Sequence, residues 1–172
     1  VHIDIDPAEI DKNVIIDQDL VGDMRNIIDG ILPMVKEKKR SEWLDMIESF
    51  RRVKEIGEND FVPENIFKVI EEVFGNDVII ATDVGQHQMW TAQFWKHNES
   101  RRNITSGGLG TMGFGLGAAI GAQMGNPGKR VLHITGDGSF RMNFNELATV
   151  AAQELPITTI LFKNNVLGMV RQ

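Results

Sequence analysis

A doubly wound α/β fold, with a parallel sheet covered by helices on both faces, is what the C-terminal two-thirds of this sequence predicts. Three observations carry the expectation. Short β-type apolar runs alternate with helical patterns in the order strand–helix–strand–helix–strand–helix–strand, which calls for parallel strands joined by crossovers. The run Val78-Ile79-Ile80-Ala81-Thr82 has no polar alternation and reads as a strand buried on both faces. Each run also ends in a polar or glycine break, at Asp83, Ser106, Gly136 and Asn164. Such breaks lie at the carboxyl edge of the sheet, where open α/β sheets bind ligands.

In chain order, residues 1–6 alternate as a strand, and Asp6-Pro7 opens a turn or short helix. Val14-Ile15-Ile16 is a short strand candidate, and Asp19 to Val35 has helical spacing weakened by Gly30 and Pro33. Residues 1–35 are expected to be the closing part of another α/β domain. Residues 36–60 form a helical linker: a basic run from Lys36 to Arg40, then a helix from Ser41, its candidate N-cap, to Ile56. Trp43, Met46, Ile47, Phe50 and Val53 share one face of that helix, and Gly57 to Asp60 breaks it. Residues 61–172 are the third segment. It starts with a helix at Pro63 whose apolar face carries Ile66, Phe67, Ile70 and Val73 and which stops at Gly75-Asn76. A helix over about 87–95, a weak strand at 103–105, a helix of small residues over 113–124 and a turn at Asn126-Pro127-Gly128 follow.

The totals narrow the class. A net charge of −6 disfavours nucleic-acid binding, and the absence of cysteine removes disulfides and thiolate metal sites. No apolar run approaches the roughly 20 residues of a membrane span. The chain starts inside a strand pattern and stops where a helix is beginning, so it reads as an internal piece of a longer polypeptide.

The chemistry concentrates between Arg130 and Met169. The run Val131-Leu132-His133-Ile134-Thr135 breaks at Gly136-Asp137-Gly138-Ser139; a helix over about 143–153, a run from Ile157 to Phe162 and Lys163-Asn164-Asn165 follow. In a βαβ unit, Asp137 and Asn164 leave the sheet at the same edge. A carboxylate and an amide oxygen side by side suit a hard cation such as Mg²⁺ held against a phosphate. The glycines admit close backbone approach, and a helix N-terminus supplies amide donors. Gly108-Leu109-Gly110-Thr111-Met112-Gly113 also has the spacing of a dinucleotide fingerprint, which leaves a nicotinamide-binding dehydrogenase domain as an alternative.

The run from Gly136 to Ser139, with Asn164 downstream, resembles the cofactor motif of thiamine diphosphate enzymes. Three further stretches resemble the acetolactate (acetohydroxyacid) synthase large catalytic subunit family: Val84 to Trp90, Ser106 to Gly113, and Gly168-Met169-Val170. The likeness spans essentially the whole chain. It implies Mg²⁺ held by the side chains of Asp137 and Asn164 and the carbonyl of Val166. It places Gln86, His87, Gly136, Gly138, Ser139, Gly168 and Met169 at the thiamine diphosphate. Met112 lies beneath the bent cofactor, and the Gly110 carbonyl meets its amino group. The family's central domain binds FAD, near which Asp4 and Asp23 fall.

The activity implied is decarboxylation of pyruvate and condensation with a second 2-oxo acid, giving acetolactate or acetohydroxybutyrate for branched-chain amino-acid synthesis. A homodimer or homotetramer and a regulatory subunit go with it, in the cytoplasm of bacteria or in an organelle of eukaryotes. Two departures stand out: Lys163-Asn164-Asn165 replaces Asn-Asn-Gly, and Gly117 replaces a frequent proline. The family's catalytic glutamate belongs to an N-terminal domain. Glu146 is no substitute, so this stretch alone is expected to be inactive. Pyruvate oxidases and 2-oxo acid decarboxylases are the related alternatives, and a non-catalytic nucleotide-binding or assembly module is the remaining one.

Overall fold

The computed structural model describes residues 1–50, 57 and 60–172, and the chain divides into two compact units, Val1–Glu55 and Ile56–Gln172. In the first, β1 (His2–Asp4) pairs in parallel with β2 (Asp19–Val21), in the register His2 to Asp19. Helix α1 (Met24–Ile31) follows, and a short 3-10 turn over Leu32–Met34 ends it at Pro33. Helix α2 spans Ser41–Phe50.

Three expectations for this unit are corrected. Val14-Ile15-Ile16 is not a strand: the Ile16 N–H is taken by the Asp11 carboxylate at 3.0 Å, and Asp19–Val21 supplies the strand instead. The helix expected from Asp19 starts only at Met24, because Asp23 caps it, accepting from the N–H groups of Arg25 and Asn26 at 2.9 and 3.3 Å. Ser41 is the first helical residue of α2, whose first turn closes on the Arg40 carbonyl, so the serine is not its N-cap. The apolar face of α2 is exposed at Trp43, Met46, Ile47 and Phe50, while Val53 and the rest of the expected helix lie outside the described residues.

The second unit is the doubly wound fold. Its elements are α3 (Pro63–Phe74), β3 (Val78–Thr82), α4 (Gln86–Phe94), β4 (Asn103–Thr105), α5 (Phe114–Gly125), β5 (Arg130–Gly136), α6 (Asp137–Phe140), α7 (Leu147–Ala152), β6 (Thr158–Phe162) and α8 (Gly168–Arg171). The four strands are parallel in the order β4-β3-β5-β6. One apolar cluster joins Phe67 and Ile70 of α3 with Val78, Ile80, Leu132, Ile134 and Trp95. A second joins Ile79, Ala81 and Val131 with Ala119 and Ala122 of α5. Alternate residues of β3 and β5 thus face opposite clusters, which is why these strands read as unbroken apolar runs.

Two details differ from expectation. Val73 of α3 is exposed, and Phe74 packs against the core in its place. The helix expected over 143–153 is not continuous. A 3-10 turn over Phe144–Glu146 and the six residues of α7 share that span, after a four-residue helix at 137–140. The helix that follows the Gly136–Ser139 loop directly is therefore only four residues long.

Candidate functional site

The chain runs from β3 to β4 on one side and then crosses to β5 on the other side of β3. The crevice beyond the carboxyl ends of β3 and β5 is therefore the topological switch point. A cleft lies there, lined by residues 84–87, Trp90, Met112, residues 136–139, Phe162, Asn164 and residues 166–168. Trp90 and Phe162 meet along it with tilted rings, their centroids 5.5 Å apart, and Phe162 in turn stacks on the core ring of Phe67 at 5.9 Å.

The β5–β6 register sets Gly136 opposite Phe162, so the loops that follow run side by side. The Asp137 carboxylate accepts from the backbone N–H groups of Asn164 and Asn165, at 3.4 and 3.1 Å. The Asn164 amide donates to Gln86 Oε1 at 3.4 Å, and its oxygen accepts from the Val166 N–H at 3.0 Å. Gln86, Asp137, Asn164 and Val166, distant in sequence, thus form one polar cluster. Asn165 sits at φ 59°, a left-handed conformation that asparagine tolerates better than most residues. That explains how asparagine can stand where glycine is frequent.

Neighbouring side chains come close to the glycines here. A Cβ at Gly136 would lie 2.8 Å from His87 Nδ1, and one at Gly138 would lie 2.6 Å from Leu167 Cδ2. A Cβ at Gly168 would run into the Gln86 side chain. His87 is buried on α4, and burial pushes its pKa down to about 4 despite the opposing pull of Asp83 and Asp137. The imidazole is neutral, and its Nε2 is buried without a hydrogen-bond partner.

The glycine-rich stretch before α5 is tied at both ends. Ser106 Oγ accepts from the Thr111 N–H at 3.0 Å, while Gln88 donates to Thr105 Oγ1 at 2.8 Å. At the other end the Gly113 N–H donates to Ser139 Oγ at 3.2 Å, and the Asn143 amide donates to the Gly113 carbonyl at 3.2 Å. Met112 is thereby brought to the cleft opposite Gly138. Gly110 and Met169 do not line it. Glu146 is engaged by the Thr149 hydroxyl at 2.9 Å and is absent from the lining.

Sequence reasoning missed Trp90, Phe162 and Leu167, which line the cleft, and the buried polar group behind it. Asp83 Oδ1 accepts from the Gly115 N–H at 2.8 Å, and its Oδ2 meets His133 Nε2 at 3.1 Å and the Thr135 hydroxyl at 2.8 Å. Burial works against the charge, yet the His133, Gly115 and Thr135 donors outweigh it and hold the carboxyl below its usual range. The available signal was His133 itself, a polar residue inside an apolar run that had to find a partner.

The fold and switch-point cleft define a cofactor-binding α/β domain, and the sheet order removes the nicotinamide reading. The strands flanking Gly108–Gly113 are β4 and β5, and β3 lies between them, whereas the fingerprint needs adjacent strands. Residues 83–172 match the family model "Thiamine pyrophosphate enzyme, C-terminal TPP binding domain", and the chain belongs to that family. More particular likenesses run over the whole chain. It is 42% identical over 185 residues to the probable acetolactate synthase large subunit of Methanocaldococcus jannaschii, covering 100% of this chain and 31% of that protein. It is 42% identical over 178 residues to the acetolactate synthase large subunit of Lactococcus lactis, covering 99% and 31%. It is 38% identical over 183 residues to the acetolactate synthase isozyme 1 large subunit of Escherichia coli, covering 100% and 31%. The chain thus spans about a third of the length of these relatives. No helix among the described residues is long and apolar enough to cross a membrane.

Proposed function

We propose that this chain is the cofactor-anchoring portion of an acetolactate synthase large subunit, acting with thiamine diphosphate and Mg²⁺. The observation that carries the reading is the meeting of Asp137 and Asn164 at the carboxyl ends of adjacent strands, beside Gln86 and Val166. The donor set fits the group. Among the described residues no three His, Cys, Asp or Glu side chains cluster, so the protein offers one carboxylate, an amide and backbone oxygens. A hard divalent cation held this way is completed by the oxygens of a diphosphate. The unpartnered, neutral His87 Nε2 and the bare backbone at Gly136 and Gly138 suit the same ligand.

Thiamine diphosphate supplies an electron sink for decarboxylating a 2-oxo acid, a chemistry no side chain here provides. The protein's own part is to bind and orient. Asp137, Asn164 and the Val166 carbonyl hold the metal; Gln86, His87, Gly136, Gly138, Ser139 and Gly168 surround the diphosphate. Met112 and the Gly110 carbonyl set the shape of the rest. Gly110 and Met169 come to the cofactor only if the glycine-rich segment and α8 shift towards the cleft. The substrates are pyruvate and a second 2-oxo acid. FAD in a central domain, a homodimer or homotetramer, a regulatory subunit and a cytoplasmic or organellar setting complete the proposal.

Asp23, which caps α1, and Asp4, which accepts from the Asp6 N–H at 2.9 Å, are both engaged locally. Residues 1–172 alone are inactive in this reading, because the proton-transferring glutamate comes from another domain. Calorimetry on the full-length protein tests it. Thiamine diphosphate binds only with Mg²⁺ and loses binding in Asp137→Ala; NAD binding without metal would overturn the reading.

A further inference from the structure

The buried group behind the cleft has a geometry that the cofactor site does not itself require. Helix α5 has Gly113, at φ 85°, as its N-cap residue, which offers no side chain to cap it. The missing acceptor comes from Asp83, 32 residues earlier at the end of β3, through the Gly115 N–H. Gly115 is glycine because a Cβ there would lie 2.7 Å from the Asp83 backbone nitrogen and 2.9 Å from His133 Nε2. The Asp83 N–H donates to the Ile134 carbonyl at 2.9 Å, which fixes the backbone carrying the carboxylate.

His133 orients that carboxylate. Its ring is fully buried on β5, with Nδ1 3.3 Å from the Thr159 hydroxyl on β6 and Nε2 3.1 Å from Asp83 Oδ2. A carboxylate only accepts, so Nε2 carries the proton and Nδ1 accepts from Thr159. Thr159, His133, Asp83 and Gly115 thus form a chain of hydrogen bonds from β6 across β5 and β3 to the first turn of α5. Met112 is three residues before Gly115 in the same backbone.

We propose that His133 is a positioning residue that, through Asp83, sets the height of the Met112 shelf over the cleft. This rests on the reading of that cleft as a thiamine diphosphate site. The side chains of Asp137 and Asn164, at the metal and phosphate end, bond to one another's loops and to Gln86 and Val166, outside this chain of hydrogen bonds. Loss of His133 leaves a buried carboxylate short of a donor, so the α5 end of the shelf moves and the ring end of the cofactor loses its support. A shift of this kind acts more on the ring than on the diphosphate, to which the segment is linked by the Gly113–Ser139 bond.

The test compares two probes on the full-length protein with Mg²⁺: inorganic pyrophosphate, which reads the phosphate end alone, and thiamine diphosphate, which reads both ends. In His133→Leu, pyrophosphate affinity stays within about threefold of wild type while thiamine diphosphate affinity falls about tenfold or more. His133→Gln, whose amide can still donate to Asp83, recovers most of the loss. Thr159→Val, a milder change that frees the His133 ring, gives the same split at smaller size and serves if His133→Leu does not fold. Equal losses for both probes, or a lower melting temperature with unchanged affinities, would overturn the proposal and leave His133 a core residue. Failure of wild type to bind either probe would overturn the site reading, and this proposal with it.

Discussion

At the scale of single residues, the site depends on a few side chains with unequal roles. Asp137 is the one carboxylate in the cluster with Gln86, Asn164 and Val166, so removing it should be severe. Asp137→Ala is expected to weaken Mg²⁺-dependent cofactor binding by about 100-fold, and Asn164→Ala by about tenfold, since charged hydrogen bonds contribute roughly 1.5–3 kcal/mol. Titration calorimetry gives both numbers. His87 makes a separate prediction. Its ordinary pKa of 6.5 is lowered to about 4 by burial, so the unfolded chain takes up a proton over that interval that the folded one refuses. Stability should therefore fall as pH drops from about 6.5 towards 4, by about 3 kcal/mol at the low end. Urea midpoints in that window check it, and His87→Asn should flatten the dependence. Asp83 acts lower: its depressed pKa gives stability that is present above the usual carboxylate range and lost only below it.

At the scale of elements, α5 shows how closely the helix of small residues is fitted to the sheet. Gly115→Ala would place a methyl against the Asp83 backbone, which cannot swing away as a side chain end can. The expected cost is about 1–3 kcal/mol of stability, readable as a lower melting temperature. Gly138→Ala meets only the mobile end of Leu167. It should leave melting nearly unchanged while narrowing the cleft and weakening the cofactor. The contrast between these two variants separates packing glycines from binding glycines. Sequence patterning found α3, β3, α5, β5 and β6 because their burial follows from period and run length alone. It misplaced α1 and the strand before it, because a three-residue strand is chosen by its partner. Asp19–Val21 pairs with β1, whereas Val14–Ile16, more apolar, finds none.

At the scale of the whole molecule, the order β4-β3-β5-β6 brings the loops after β3, β5 and β6 to one crevice. If those loops hold one metal–diphosphate group, ligand and metal must stabilise the full-length protein together. At a cofactor concentration about 100-fold above Kd, the gain is about 2.7 kcal/mol. Thermal unfolding should show a raised midpoint with thiamine diphosphate and Mg²⁺ present, little change with either alone, and reversal by a chelator.

The sequence by itself determined the class of fold, the carboxyl-edge position of Asp137 and Asn164, and the motifs by which the family is recognised. All of these depend on local period, on spacing or on the identity of short runs. Only the tertiary structure decided that Gln86 reaches Asn164, that Met112 faces the cleft while Gly110 and Met169 stand outside it, and that β3 separates β4 from β5. It alone paired Asp83 with His133, 50 residues apart. The reason is physical: which strands become neighbours, and which buried polar groups satisfy one another, follow from how the elements pack together and are not encoded in any one stretch.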